Sequence, residues 1–205
     1  MEESSNGVRI VVINGSVRPG NYTRMASALV VEELKKQSNV SVEAIDPGTL
    51  NLPQPGTEPN STATRALQAK VSDATGVVLA TPEYHGSFSS VMKHVIESLG
   101  FPSVLAGKAV ALLGVAAGAI GAIKSLEHLR GACSHIGAIV LPLPISVANV
   151  QKVFDTEGHC LDPAVETRGG RRDQPSTLHP GEPVPEVDAG AASPRGCGRG
   201  PLNAL

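Results

Sequence analysis

Aromatic side chains are almost missing from this sequence: 205 residues contain no Trp, two Tyr and three Phe. Single-strand nucleic-acid binders stack bases on aromatic platforms, so that class is set aside. A charge excess of either sign is missing too, because 17 Lys and Arg face 19 Asp and Glu for a net charge of −2. A basic nucleic-acid binder and a strongly acidic docking carrier both fall on that ground. Cysteine is sparse: Cys133, Cys160 and Cys197 form no CxxC and no Cys/His pair at metal spacing. An odd, scattered set speaks against a secreted disulfide scaffold and a structural zinc site, so no metal is expected. Long apolar runs are lacking as well. The longest, Ala109 to Ile123, is interrupted by Gly114, Gly118 and Gly121 and is too broken to cross a bilayer, so no membrane insertion is expected. Met1 to Gly7 is polar and runs directly into a strand pattern. No signal peptide is expected, and the expected location is cytoplasmic.

What is present is an aliphatic chain, and a core built of Val, Ile, Leu and Ala suits a buried parallel sheet. Val8 to Asn14 (VRIVVIN) is a β-branched run that ends at Gly15, a first strand. Asn21 to Gln37 turns helical, with Ala26, Leu29, Val30 and Leu34 on one stripe. Val40 to Asp46 alternates as a second strand, Pro47 to Pro59 is a loop, and Thr62 to Thr75 is a second helix. Gly76 to Thr81 is a wholly apolar third strand, followed by a helix over Ser89 to Leu99. Lys108 to Gly114, Ile120 to His135 and Gly137 to Leu141 complete the series as strand, helix and strand. Strand and helix in strict alternation predict an α/β, doubly wound, five-stranded parallel sheet in three layers.

A last helix should cover the sheet, and Asp162 to Arg168 starts one, then stops. From Arg168 to Leu205 there are seven Gly, six Pro, five Arg and no Lys, with almost no apolar periodicity. Such a segment cannot offset its ordering entropy. The expected organisation is therefore a disordered 1–7, one domain over 8–167 and a low-complexity, disordered tail over 168–205. The same Gly/Pro/Arg/Ala bias would also follow from GC-rich codons read in a shifted frame, which would replace a needed helix and leave an inactive product.

Ligands of doubly wound sheets bind at the carboxyl ends of the strands, so the loops after strands one, three and four carry the chemistry. The first, Gly15 to Thr23, opens a helix and is a candidate anion cradle. It fails the dinucleotide fingerprint because Val17 stands two residues after Gly15. It fails the P-loop because Asn21 and Tyr22 replace the lysine and the metal-binding hydroxyl. What remains suits a terminal phosphate monoester: Ser16 and Thr23 hydroxyls, the Asn21 amide, the Arg18 cation and backbone N–H groups. A polar turn that merely caps the helix is the plainer alternative. The loop after strand three, Thr81 to Phe88, holds Tyr84 between Pro82 and Gly86, a wall for a planar ligand or simply a ring over the sheet edge. His85, taken alone, reads more readily as a surface histidine. The loop after strand four, Gly114 to Gly121, offers small residues and a helix N-terminus, for close ligand approach or close packing.

Gly15-Ser16-Val17-Arg18, Thr81-Pro82-Glu83-Tyr84 and a glycine-rich loop leading to Ile123 to Arg130 (IKSLEHLR), in that order, make the chain resemble the NADPH-dependent FMN reductase family. That family includes flavodoxin-like azo, chromate and quinone reductases, and the similarity covers about residues 8–165. The resemblance implies Ser16, Arg18, Asn21, Tyr22 and Thr23 at the FMN phosphate. It implies Pro82, Glu83, Tyr84 and His85 at the edge of the isoalloxazine. Gly114, Val115, Ala116, Ala117 and Gly118 would line its other side.

No catalytic side chain is then required, since hydride passes from NAD(P)H to bound FMN and on to a quinone, azo compound, free flavin or similar acceptor. The resemblance also implies a homodimer or homotetramer, with Met92, His94, Val95 and Phe101-Pro102 beyond the flavin edge. Three departures stand out: Ser89-Ser90 before the third helix, Ala119 after Gly118, and the missing closing helix. The alternative function is a flavodoxin-type electron carrier without NAD(P)H activity of its own. Carriers of that kind are strongly acidic and flank the flavin with aromatics after strands three and four, whereas this chain is near neutral and its strand-four loop has no aromatic.

Overall fold

The expected first strand forms as β1 (Val8–Asn14) in the computed structural model, which describes residues 7–170. Helix α1 (Tyr22–Lys35), strand β2 (Val40–Ile45), a single 3-10 turn (Pro47–Thr49) and helix α2 (Thr62–Asp73) follow. Next come β3 (Gly76–Tyr84), β4 (Ser87–Phe88), α3 (Ser90–Ser98), β5 (Ala109–Val115) and α4 (Ile123–His135). The chain then adds β6 (Ile139–Val140), β7 (Ile145–Val147), α5 (Val150–Val153) and α6 (Pro163–Gly170). The strand order is β2-β1-β3-β5-β6, with β4 on β3 and β7 on β5, and all pairs except β3–β4 are parallel. This is the flavodoxin-like α/β arrangement.

Side chains alternate across the parallel strands and supply two cores, one on each face. Val11, Ile13, Val77, Leu79, Val110 and Leu112 face α2, α3 and α4, which contribute Leu67, Val95, Leu126 and Leu129, with Leu99 just past the end of α3. Ala80, Leu113, Val115 and Val147 face α1 through Ala26, closed by Val150, Val153 and Phe154. Two cores around one sheet make the three layers. Val165 of α6 packs against this second core, and α6 lies on α1.

Three expectations need correction. The fifth strand is not the single run Gly137 to Leu141. It is two pieces, β6 against Ala109–Val110 and β7 against Leu113–Val115. Between them stands Leu141-Pro142-Leu143-Pro144, where the prolines lack the N–H a ladder needs and Leu143 takes a φ of 59°. The third strand runs past Thr81 to Tyr84, so Pro82, Glu83 and Tyr84 are strand residues rather than loop. Likewise Gly114 and Val115 belong to β5, paired with Thr81 and Pro82. Met92 and Val95, expected beyond the flavin edge, are wholly buried inside their own protomer and are unavailable to a partner, whereas Phe101 is 98% exposed. Of the segments expected to be disordered, 1–7 and 168–205, residues 1–6 and 171–205 lie outside the described residues, while 168–170 form the end of α6, so the last helix runs past the expected stop at Arg168.

Candidate functional site

Three segments meet at the carboxyl edge of the sheet: Gly15–Asn21 after β1, Pro82–Gly86 at the end of β3, and Ala116–Gly121 after β5. Gly15 is dictated by packing, since a Cβ there would lie 2.6 Å from the Ala80 carbonyl oxygen. Its own N–H donates to that carbonyl at 2.6 Å, and its carbonyl accepts from Ser89 Oγ at 2.5 Å. Ser89 also caps α3 by accepting from the Met92 N–H at 3.0 Å, and its own N–H donates to Thr81 Oγ1 at 3.1 Å. One buried serine therefore joins the first loop, β3 and α3. In the sequence it stands only as the first residue of an expected helix.

Within the first loop, Asn21 caps α1: its Oδ1 accepts from the Arg24 N–H at 2.8 Å, and its Nδ2 donates to the Arg18 carbonyl at 2.7 Å. Asn14 Nδ2 donates to the Ser16 carbonyl at 2.7 Å. Two amide side chains thus shape the turn. Thr23 is buried in the first turn of α1. Tyr22 packs its ring on Phe154, centroids 6.5 Å apart, so its aromatic face belongs to the second core. Arg18 is exposed, with its guanidinium 4.7 Å from the centre of the Tyr84 ring.

The decisive detail is chemical. Ser16 is 2% exposed, and its Oγ is buried without a hydrogen-bond partner, as is Oδ1 of Asn14. A buried hydroxyl left unpaired costs about 1–3 kcal/mol, so a water or ligand atom that completes its bonding is favoured at that point. A hydroxyl, a free cation and the N-terminus of a 14-residue helix together form a donor set for a phosphate monoester. The residues present fit the FMN phosphate.

At the second segment, β3 and β4 form a hairpin with a two-residue turn, His85 and Gly86, at φ of 51° and 71°. Two successive positive φ values match the twist of a tight hairpin and are why glycine follows His85. His85 is exposed at that turn. Pro82 is buried. Glu83 does something its place in the sequence did not suggest: its Oε2 accepts the Ser125 N–H at 3.1 Å. Helix α4 has no capping side chain of its own at Ala122, so Glu83 supplies one from β3. Ser146 of β7, also missed in the sequence, accepts the Ala122 N–H at 2.9 Å.

The third segment divides in two. Gly114 is a packing glycine: a Cβ would meet Ala122 Cβ at 2.6 Å and Leu126 Cγ at 2.9 Å. Val115 and Ala116 are buried, the latter tied by its N–H to the Val147 carbonyl at 2.9 Å. Ala117 and Gly118 are exposed, and nothing lies within 4 Å of a Cβ built on Gly118. Only these last two of the five small residues lie open to a ligand.

The family model described as NADPH-dependent FMN reductase matches residues 8–152. A 2-hydroxy-1,4-benzoquinone reductase of a Burkholderia species is 28% identical, across 75% of this chain and 86% of that protein. An NADPH azoreductase of a Bacillus species (strain OY1-2) is 31% identical, across 66% and 74%. Among solved structures, FerB, a flavoenzyme NAD(P)H:(acceptor) oxidoreductase of Paracoccus denitrificans, superposes with a TM-score of 0.65 at 19% identity, covering 79% and 93%.

Proposed function

The chain belongs to the NADPH-dependent FMN reductase family, and from that premise we propose that this FMN-dependent NAD(P)H oxidoreductase holds its flavin across the three converging segments and passes electrons to a quinone, azo compound or free flavin. The observation that carries the site assignment is the buried, unpaired Ser16 Oγ in the loop that leads into α1, two residues before the exposed Arg18. When bound, FMN supplies the two-electron chemistry that no side chain here provides. Ser16, Arg18, Thr23 and the first N–H groups of α1 hold the phosphate, while Asn21 and Asn14 fix the turn that presents them. Pro82, Tyr84 and the His85-Gly86 turn wall one side of the ring, and Ala117 and Gly118 admit it closely on the other. Glu83 acts at one remove by holding the start of α4, and with it the loop that ends there. Relatives named for quinone and azo reduction support a planar acceptor.

A homodimer or homotetramer belongs to the same reading, supported by the fully exposed Phe101, and a stable monomer in light scattering overturns it. A cytoplasmic location is supported by the free thiols Cys133 and Cys160. No helix among the described residues is long and apolar enough to cross a membrane.

The test has two arms. Holoprotein mixed anaerobically with NADPH loses its visible flavin band; a carrier that needs a separate reductase does not. Arg18→Ala weakens FMN binding about ten- to a hundredfold, the value of roughly 1.5–3 kcal/mol for a charge-assisted hydrogen bond, and leaves riboflavin binding unchanged. Equal weakening of both flavins removes the phosphate from this loop.

A further inference from the structure

Arg18 is positioned by a ring rather than by a carboxylate. Its guanidinium carbon stands 4.7 Å from the Tyr84 centroid, within the range of a cation–π contact. Among the described residues no acidic side chain forms an ion pair with it. A guanidinium stacks through its flat face and donates through its edge, so contact with an aromatic fixes its plane and leaves its N–H donors available to an anion. An arginine paired with a carboxylate would instead have those donors occupied.

The backbone that carries the ring is fixed. Tyr84 ends β3, is paired with Ser87 across the hairpin, and precedes the tight His85-Gly86 turn. We infer that Tyr84 is a positioning residue for the phosphate end of the flavin, acting through Arg18, and not only a wall beside the ring. The inference rests on the assignment of the first loop to the FMN phosphate. It joins the two ends of the cofactor site: the residue that borders the isoalloxazine also orients the cation for the phosphate.

The test compares FMN with riboflavin, which lacks the phosphate, by titrating the full-length apoprotein and following flavin fluorescence. Tyr84→Leu weakens FMN about two- to fivefold more than riboflavin, the range expected for losing a partly exposed cation–π contact. Tyr84→Phe, which keeps the ring, restores the wild-type ratio of the two affinities. In an Arg18→Ala background, Tyr84→Leu changes both flavins by the same factor. If Tyr84→Leu weakens FMN and riboflavin equally while Arg18→Ala still discriminates, Tyr84 serves the ring alone and the inference is wrong. If Arg18→Ala itself fails to discriminate, the phosphate assignment falls and the inference with it. Circular dichroism of each variant separates these outcomes from misfolding.

Discussion

Gly114 and Gly118 stand four residues apart in the same small-residue stretch, yet their surroundings require opposite behaviour on replacement by alanine. At Gly114 the new methyl meets Ala122 Cβ at 2.6 Å and Leu126 Cγ at 2.9 Å. Leu126 can change rotamer, but Ala122 has no side chain to swing away, so the start of α4 must withdraw by about 0.8 Å to reach ordinary contact at 3.4 Å. Overpacking of this kind costs about 1–3 kcal/mol, offset by about 0.5–1 kcal/mol for removing a glycine from a strand. The expected net loss is about 1–2 kcal/mol, read from the midpoint of urea unfolding at unchanged slope. FMN affinity also falls, because α4 carries the loop at its start away from the sheet edge. At Gly118 a methyl meets nothing within 4 Å, and the backbone needs no positive φ. Gly118→Ala is therefore neutral to stability or raises it by up to about 1 kcal/mol, while FMN binds more weakly because the methyl enters the space left for the ring. Equal stability of Gly114→Ala and wild type would refute the packing argument. Undiminished FMN affinity in Gly118→Ala would refute the placement of the ring.

Ser16→Ala separates the empty protein from the loaded one: it removes an unsatisfied buried hydroxyl, so apoprotein stability holds or rises, while FMN affinity falls about tenfold by titration. Glu83→Ala strips the first turn of α4 of its only side-chain acceptor from β3, costing about 0.5–2 kcal/mol and speeding amide exchange at Ser125; Glu83→Gln keeps an acceptor oxygen and most of the stability. Burial pushes the Cys133 thiol up to about 11, so alkylation of the native protein near neutral pH labels Cys160 and spares Cys133, as peptide mapping checks. The unfolded thiol ionises first, near 9.0, so this group's contribution to stability is complete below that pH and declines as pH rises toward 11.

Much of the fold was legible because its signals are local. β1 begins and ends where its β-branched run does, and the first three helices start close to the expected Asn21, Thr62 and Ser89, where the Asn21, Ser61 and Ser89 side chains accept from N–H groups three residues on. The residues of the proposed phosphate loop were easy to group for a similar reason: Ser16, Arg18 and Thr23 lie within eight residues of one turn. What escaped lies across long sequence separations or depends on a partner strand. The end of β3 read as a loop because Pro82 looks like a stop, but it can extend where β5 and then β4 lie alongside.

Composition and periodicity by themselves determined a doubly wound parallel sheet, and three short motifs in order carried the family resemblance, since these follow from residue type and spacing along the chain. Only the tertiary structure decided what each site residue does. Gly114 and Gly118 are the same amino acid in the same run, but one faces α4 and the other faces open space. Glu83 stands beside Tyr84 in the motif, but its carboxylate serves a helix 42 residues further on. Tyr84 meets Arg18 only because β1 and β3 are neighbours in the sheet. A side chain's role depends on what it touches, and contacts between distant segments are set by how the sheet brings them together rather than by any pattern within either segment.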